Sequence, residues 1–346
     1  MADVNDCLAI WGAGAVGGTI GAHLIRAGHD VIFVDQDEDH VKAMRGRGLA
    51  IEGPIANFTV ATRAFLPAEL DGTYARIVLA VKAQHTEAAT RALAPRLAAD
   101  GFVLSAQNGL NELNIAKIVG ERRTMGCFVN FGADYMGPGR ILYGGKGAVV
   151  VGELDGALTE RLQAMHRLLL DFEPAAVLTS NIWGYLWGKL GYGALLFATA
   201  LTNESIADAL ASPRHFDLYR RLGEEVMETA RKRGVQAEGF NGFEPAAFFC
   251  EAARATTQRS IDAMAAHNRK SAKSHSGIWR DLAVRRRKTE VDAQIAIVDA
   301  LAREVGIDTP TIRRLVALIH EVEDGKRSMG WAALDALGQN VAAAAC

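Results

Sequence analysis

The chain has 346 residues, 49% hydrophobic and 23% charged, which is the composition of a globular protein long enough for two domains. Lys+Arg (38) and Asp+Glu (40) leave a net charge of −2. This excludes a general pull toward nucleic acid or an anionic membrane, and the one dense basic run, "RRRK" at Arg285 to Lys288, reads as a solvated helix face. The four cysteines (Cys7, Cys127, Cys250, Cys346) lack CxxC spacing, so neither zinc nor a redox pair is indicated; they read as reduced thiols of a cytoplasmic protein. The N-terminus carries no signal-peptide pattern, and the apolar run "ALLFATAL" is too short to span a bilayer.

Residues 6–12, "DCLAIWG", read as a buried strand stopped by glycine. Apolar residues then recur at helical spacing from Val16 to Ile25, and Gly28 ends the helix. "VIFVD" is a second buried strand ending at Asp35, and "HVKAMRGRG" a second helix. "ARIVLAVKA" and "GFVLSAQNG" are further strands, each followed by helical sequence. This alternation predicts a doubly wound parallel α/β domain of the Rossmann type. From Gly126 onward, short β-prone runs broken by "GPG" and "GGKG" predict hairpins or mixed strands at the edge of the sheet. After about residue 157 the pattern is helical: 157–172, 181–210, 221–234, 246–268, 278–304 and 310–323. The expected domains are 1–175, dinucleotide-binding, and 176–346, helical and carrying catalysis.

"GAGAVG", Gly12 to Gly17, fits G-x-G-x-x-G. It follows a strand, opens a helix, and has an acid, Asp35, at the end of the next strand. That context makes it a dinucleotide cradle. Gly12 permits the tight turn, Gly14 lets backbone approach a pyrophosphate, and Gly17 lets the helix pack on the sheet. Ala13, Ala15 and Val16 complete the loop, whose free N–H groups face the phosphates. Asp35 would accept hydrogen bonds from the adenosine ribose. "DQDEDH" puts four acids in five positions, from Asp35 to Asp39. Those charges repel a 2′-phosphate and favour NAD over NADP. Lys82, in "AVKAQ", is a second strand-end residue within reach of a phosphate and is the counterweight to that preference.

The order of motifs resembles the ketopantoate reductase (2-dehydropantoate 2-reductase) family over nearly the whole chain. It runs through "GAGAVG", "VLAVKA" (78–83), "QNGL" (107–110), "GPGRILYGGKG" (137–147), "WGKL" (187–190), "SGIWRDL" (276–282), "KTEVD" (288–292) and "GIDTP" (306–310). The resemblance implies a Rossmann domain, an all-helical C-terminal domain of the 6-phosphogluconate dehydrogenase type, an active site between them, and a homodimer. It puts the family's catalytic lysine on Lys189 and the asparagine that touches cofactor and substrate on Asn108. The acid near the nicotinamide ribose and catalytic centre falls on Glu290. The serine that binds the substrate carboxylate falls on Ser276, with Ser274 or His275 as alternatives. Val81, Lys82 and Ala133 join the expected cofactor contacts. Two amides expected one and two turns after the lysine are replaced here by Gly193 and by either Leu196 or Phe197. Gly193 and Phe197 therefore enter the expected substrate wall, which becomes apolar.

Lys189 is the single charge in "NIWGYLWGKLGYGALLFATALTN" before its polar end. An ammonium in such a run snorkels, pairs, or serves chemistry. The motif order favours chemistry: in ketone reduction an ammonium stabilises the developing oxyanion and gives up a proton. The reading is an NAD-dependent oxidoreductase acting on a small hydroxy acid or alcohol, leaning toward oxidation, with a small-molecule substrate, no nucleic-acid or membrane partner and no metal. The rivals are a 2-dehydropantoate 2-reductase with a rebuilt pocket and a non-catalytic dinucleotide sensor. His23 and His29 read as structural or exposed, and Arg280 with Asp281 as an internal pair.

Overall fold

The computed structural model describes residues 7–270 and 274–339. The chain divides into two compact units, Met1–Ile182 and Trp183–Cys346. Among the described residues, no helix is long and apolar enough to cross a membrane.

The first unit is built on an eight-stranded sheet. Its strands are β1 (Leu8–Trp11), β2 (Val31–Val34), β5 (Arg63–Phe65), β6 (Tyr74–Leu79), β7 (Leu97–Ser105), β8 (Thr124–Val129), β11 (Val149–Glu153) and β12 (Val177–Leu178), in the order β12-β11-β8-β7-β6-β1-β2-β5. All neighbours are parallel except β11 against β8. The short central strands, LAIW and VIFV, are buried at every position. Alternation then divides them between two cores. Leu8, Ile10, Val31 and Phe33 face one side, with Ile20 and Leu24 of α1 (Ala15–Arg26) and Leu162 and Met165 of α5 (Glu160–Leu170). Ala9, Trp11, Ile32 and Val34 face the other, with Leu93 of α3 (Thr86–Leu93) and Ile115 of α4 (Glu112–Val119). This is the doubly wound arrangement that the alternation predicts.

A second, four-stranded sheet, β4-β3-β10-β9, corrects the expectation of hairpins at the edge of the main sheet. It joins β3 (Leu49–Glu52), β4 (Phe58–Val60), β9 (Gly132–Gly137) and β10 (Arg140–Gly145). Residues 49–65 carry no strand signal strong enough to read in the sequence, because β3 to β5 have only three or four residues each and are half-buried. β11 returns to the main sheet antiparallel to β8, and β12 follows it parallel to β11, so these two edge strands run against the other six. His23 is structural: its Nδ1 lies 2.8 Å from Thr19 O, and its ring meets the edges or faces of Phe58, Tyr143 and Phe172. Burial, chiefly, holds its pKa below the usual imidazole value. His29 pairs with Asp171 at 2.6 Å.

The second unit is helical: α6 (Ile182–Thr199), α7 (Ile206–Leu210), α8 (Phe216–Lys232), α9 (Arg254–Arg269), the single turn α10 (Gly277–Trp279), α11 (Ile297–Glu304), α12 (Pro310–Glu323) and α13 (Trp331–Gly338). The expected continuous helix over 278–304 is interrupted. Arg280–Val284 and Asp292–Ala296 are π-helical, and between them Arg286 takes φ 48°. The cause is local. Arg285 and Arg287 both turn back onto the buried Asp281 carboxylate, at 3.0 and 2.9 Å, and Arg287 N–H donates to Asp281 O. The "RRRK" run is thus half consumed in fixing its own loop. Cys7 and Cys127 are buried free thiols, as expected.

One buried acid ties this unit together. Glu225 of α8 is 4% exposed, and its carboxyl oxygens accept from the Thr311 and Ile312 N–H groups at 2.9 and 2.8 Å, at the start of α12. Burial outweighs those bonds and pushes its pKa up to about 7. The fold therefore holds a proton that the unfolded chain, at an ordinary carboxylate pKa near 4.5, has released. The stabilisation is complete below about pH 4.5 and is lost as pH rises through 7. Urea unfolding is expected to show stability falling across that window by up to about 3 kcal/mol. Glu225→Gln should flatten the slope; an unchanged slope would show that Glu225 is not its source.

Candidate active site

The carboxyl ends of β1, β2, β6 and β7 share one edge of the main sheet. The chain leaves β1 for β2 on one side and later returns with β6 on the other, so the crevice between β1 and β6 is the topological switch point at which such sheets bind ligands. The glycine turn lies there. Gly12 has φ 98°, and a Cβ on it would lie 2.8 Å from both Ala80 C and Val81 N. A Cβ on Gly17 would lie 2.1 Å from Gly12 O, so α1 packs at main-chain distance. Beside Gly14 there is no atom within 4 Å of where a Cβ would be. Closed behind and open in front, and with α1 starting at Ala15 without a side-chain cap, the turn fits a dinucleotide pyrophosphate.

Asp35 stands beside this turn. Its Oδ2 accepts from Ala13 N–H at 2.8 Å and its Oδ1 from Asp37 N–H at 3.0 Å. Two backbone donors fix the carboxylate, and each oxygen keeps a lone pair for a ribose hydroxyl. Asp37 caps α2 (Glu38–Arg47) by accepting from His40 N–H at 3.0 Å, and Tyr135 Oη donates to Asp37 at 3.3 Å. Burial, then Asp37, raises the Tyr135 pKa to about 12, so the phenol stays a donor.

On the other side of the crevice, Val81 and Lys82 follow β6 and are half-buried, and Asn108 is exposed in the turn after β7. Gln107 joins the two turns. Its buried amide donates to Val81 O and Thr86 Oγ1, both at 2.8 Å, and Thr86 Oγ1 donates to Asn111 Oδ1 at 2.9 Å. Ala133 lies in β9 opposite Tyr143, half-buried. The first unit therefore gathers Gly12 to Gly17, Asp35 and Val81 around one crevice. Sequence reasoning missed Gln107, Tyr135 and His40. Gln107 and His40 stand within "QNG" and "DQDEDH", and nothing in those letters announces which polar side chains turn inward.

In the second unit, α6 is largely buried. Tyr185, Lys189, Gly193 and Leu196 are half-exposed, and their spacing of four, four and three puts them on one face. No atom lies within 4 Å of a Cβ on Gly193, so the ammonium has an open place one turn away. Of the two residues expected beyond it, Leu196 lies on this stripe, whereas Phe197 is 1% exposed and belongs to the core. Phe197 is thereby corrected from the expected wall: at eight residues from Lys189 it has rotated off the exposed face. Elsewhere α6 is seated backbone to backbone. Gly184 O accepts from Glu238 N–H at 2.9 Å, a Cβ on Gly188 would lie 1.9 Å from Glu238 O, and one on Gly191 would lie 2.5 Å from the Phe243 ring.

Ser276 is 5% exposed and caps α10, its Oγ accepting from Trp279 N–H at 3.1 Å. His275 Nδ1 and Ser274 Oγ are 2.9 Å apart, His275 Nε2 is 3.2 Å from Asn203 O, and the imidazole tilts over Trp279 at 4.1 Å between centroids. Glu290 is half-buried immediately ahead of the second π-helical turn. Both expected motif segments, "SGIWRDL" and "KTEVD", thus adjoin π-helical turns, a feature that recurs at functional sites. Among the described residues no group of His, Cys, Asp or Glu could hold a metal ion.

Comparison with known proteins agrees with this geometry. The family model described as "Ketopantoate reductase PanE/ApbA" matches residues 8–156, and its C-terminal counterpart matches residues 181–323. The 2-dehydropantoate 2-reductase of Archaeoglobus fulgidus is 28% identical over 318 residues, covering 91% of this chain and 97% of the relative. That of Mesorhizobium japonicum is 25% identical over 340 residues, with coverage of 91% and 97%. Among solved structures, a PanE/ApbA family ketopantoate reductase from Ralstonia eutropha superposes with TM-score 0.76 at 25% identity, covering 92% of this chain and 99% of that one. D-mandelate dehydrogenase with NADH and anilino(oxo)acetate gives 0.80 at 20% identity and the same coverage, a likeness of fold. The chain, with its Rossmann unit, its helical unit and its place for a nicotinamide cofactor, belongs to the ketopantoate reductase family of oxidoreductases.

Proposed function

We propose that this protein is an NAD-dependent oxidoreductase that interconverts a small hydroxy acid or alcohol and its carbonyl form, with Lys189 as the proton donor and acceptor. The observation that carries the reading is the half-exposed Lys189 on an otherwise apolar helix. The nicotinamide, when bound, supplies or takes the hydride. In the reducing direction, Lys189 Nζ stabilises the charge that develops on the carbonyl oxygen and gives it a proton; in the oxidising direction the neutral amine takes the hydroxyl proton. Glu290 orients that amine, and Asn108 serves cofactor and substrate. Ser276, or its neighbours Ser274 and His275, would hold the substrate carboxylate.

The preference for NAD is supported by Asp35, Asp37, Glu38 and Asp39, whose charges oppose a 2′-phosphate. The open place at Gly193, followed by Leu196 on the same stripe, supports a substrate with an apolar group beside the reacting carbon. A panel of 2-hydroxy acids and alcohols, assayed for NADH and NADPH formation, tests the reading. Turnover is expected with NAD and with bulky apolar members of the panel. Gly193→Leu should lower kcat/KM for those members by about tenfold or more while sparing small ones, because it fills the place they occupy. Equal loss across all sizes would remove Gly193 from specificity.

A second reading, reduction of ketopantoate itself, draws on the names of the relatives, and efficient ketopantoate turnover would establish it in place of the first. NAD binding without hydride transfer to any member of the panel would instead identify a dinucleotide sensor. A homodimer belongs to the proposal by resemblance, and sedimentation would report it.

A further inference from the structure

We infer that His40 is a positioning residue for the cofactor turn, setting the direction in which the Ala13–Gly14 peptide presents its N–H. The inference rests on the nicotinamide dinucleotide reading. His40 is 1% exposed, so its ring nitrogens must find partners within the protein. Gly139 N–H donates to Nδ1 at 2.9 Å. Nδ1 is therefore unprotonated, the proton of the neutral ring is on Nε2, and Nε2–H donates to Ala13 O at 2.9 Å. The tautomer is fixed by the partners. Tyr135 packs edge-on against the ring at 5.1 Å and holds it in that orientation.

The Ala13 residue is consequently held at both ends, its N–H by Asp35 and its C=O by His40. In a trans peptide C=O and N–H point in opposite directions, so a carbonyl turned toward His40 aims the Gly14 N–H the other way. Gly14 is the residue of the turn that borders open space. A rotation of that peptide would bring the carbonyl, a negative dipole end, toward the phosphates. His40 prevents it, and ties the setting to the β9–β10 turn through Gly139.

The experiment measures NADH binding to the substrate-free protein by nicotinamide fluorescence, alongside thermal melting, for the parent and for His40→Ala, His40→Gln and His40→Asn. Gln can reach the Ala13 carbonyl with an amide N–H, whereas the shorter Asn reaches only as far as the Gly139 N–H. His40→Ala is expected to raise the Kd for NADH about tenfold or more, the effect of about 1.4 kcal/mol for a lost buried hydrogen bond. Gln should restore binding to within about threefold of the parent and Asn should not, even where the two variants melt at similar temperatures. Equal binding by Gln and Asn, or a Kd that follows melting temperature alone, would overturn the inference. If His40→Ala does not fold, the contrast between Gln and Asn decides. Should the parent itself bind no NADH, the cofactor reading falls and takes this inference with it; should the parent bind and the variants match it, only the inference falls.

Discussion

Replacing Lys189 with alanine is expected to lower kcat by about 10²–10⁴-fold, the usual contribution of a positioned acid or base, while leaving the Kd for NADH within about twofold. The two readouts separate because the residues proposed for dinucleotide binding lie, apart from Glu290, in the first unit, and Lys189 lies on α6 in the second. Lys189→Arg should recover little. Arginine keeps the charge, and so part of the electrostatic stabilisation, but a guanidinium with a pKa above about 12 neither yields nor takes a proton at working pH. Steady-state kinetics at saturating cofactor, with a fluorescence titration of NADH, checks both. Undiminished turnover in the alanine variant would remove Lys189 from the chemistry and leave snorkelling as its explanation.

Asp35→Asn is expected to change which dinucleotide is used more than whether one is used. The asparagine carbonyl can keep one of the two backbone donors that Asp35 now holds, from Ala13 and Asp37. What it loses is the negative charge nearest the expected adenosine ribose. Like charges brought together at a binding surface cost several kcal/mol. The ratio of kcat/KM for NADH over NADPH should accordingly fall by about 10–100-fold, with Asp37, Glu38 and Asp39 sustaining what discrimination is left. An unchanged ratio would show that selection against the 2′-phosphate lies elsewhere.

The parts of the molecule that were legible in the sequence are those where one local rule operates alone. The all-apolar LAIW and VIFV, each stopped at the same edge, announced a parallel sheet, and the glycines of "GAGAVG" announced the candidate dinucleotide turn. The second sheet was not legible, because three- and four-residue strands acquire their identity from partners distant in the chain: β3 pairs with β10, some ninety residues on. The break in the helix expected at 278–304 was hidden for a related reason. Its arginines look like a solvated face until Asp281, buried, is seen to collect two of them. In the candidate site, Asp35 and Lys189 could be named because a charge at a strand end or in an oily run stands out. His40 and Gln107 could not, since their importance lies in which carbonyl each ring or amide happens to face.

The seat of α6 on the segment at Glu238 carries a consequence for how this protein can change over time. Where glycines let main chain rest on main chain, the register of a helix is fixed in part by the peptide backbone. Position 189 is thereby held along the helix by main chain, whereas 193 and 196 lie on the same half-exposed stripe and bear no such contact among the described residues. On the proposed reading, exchange at those two positions would change the substrate and leave the amine where it is.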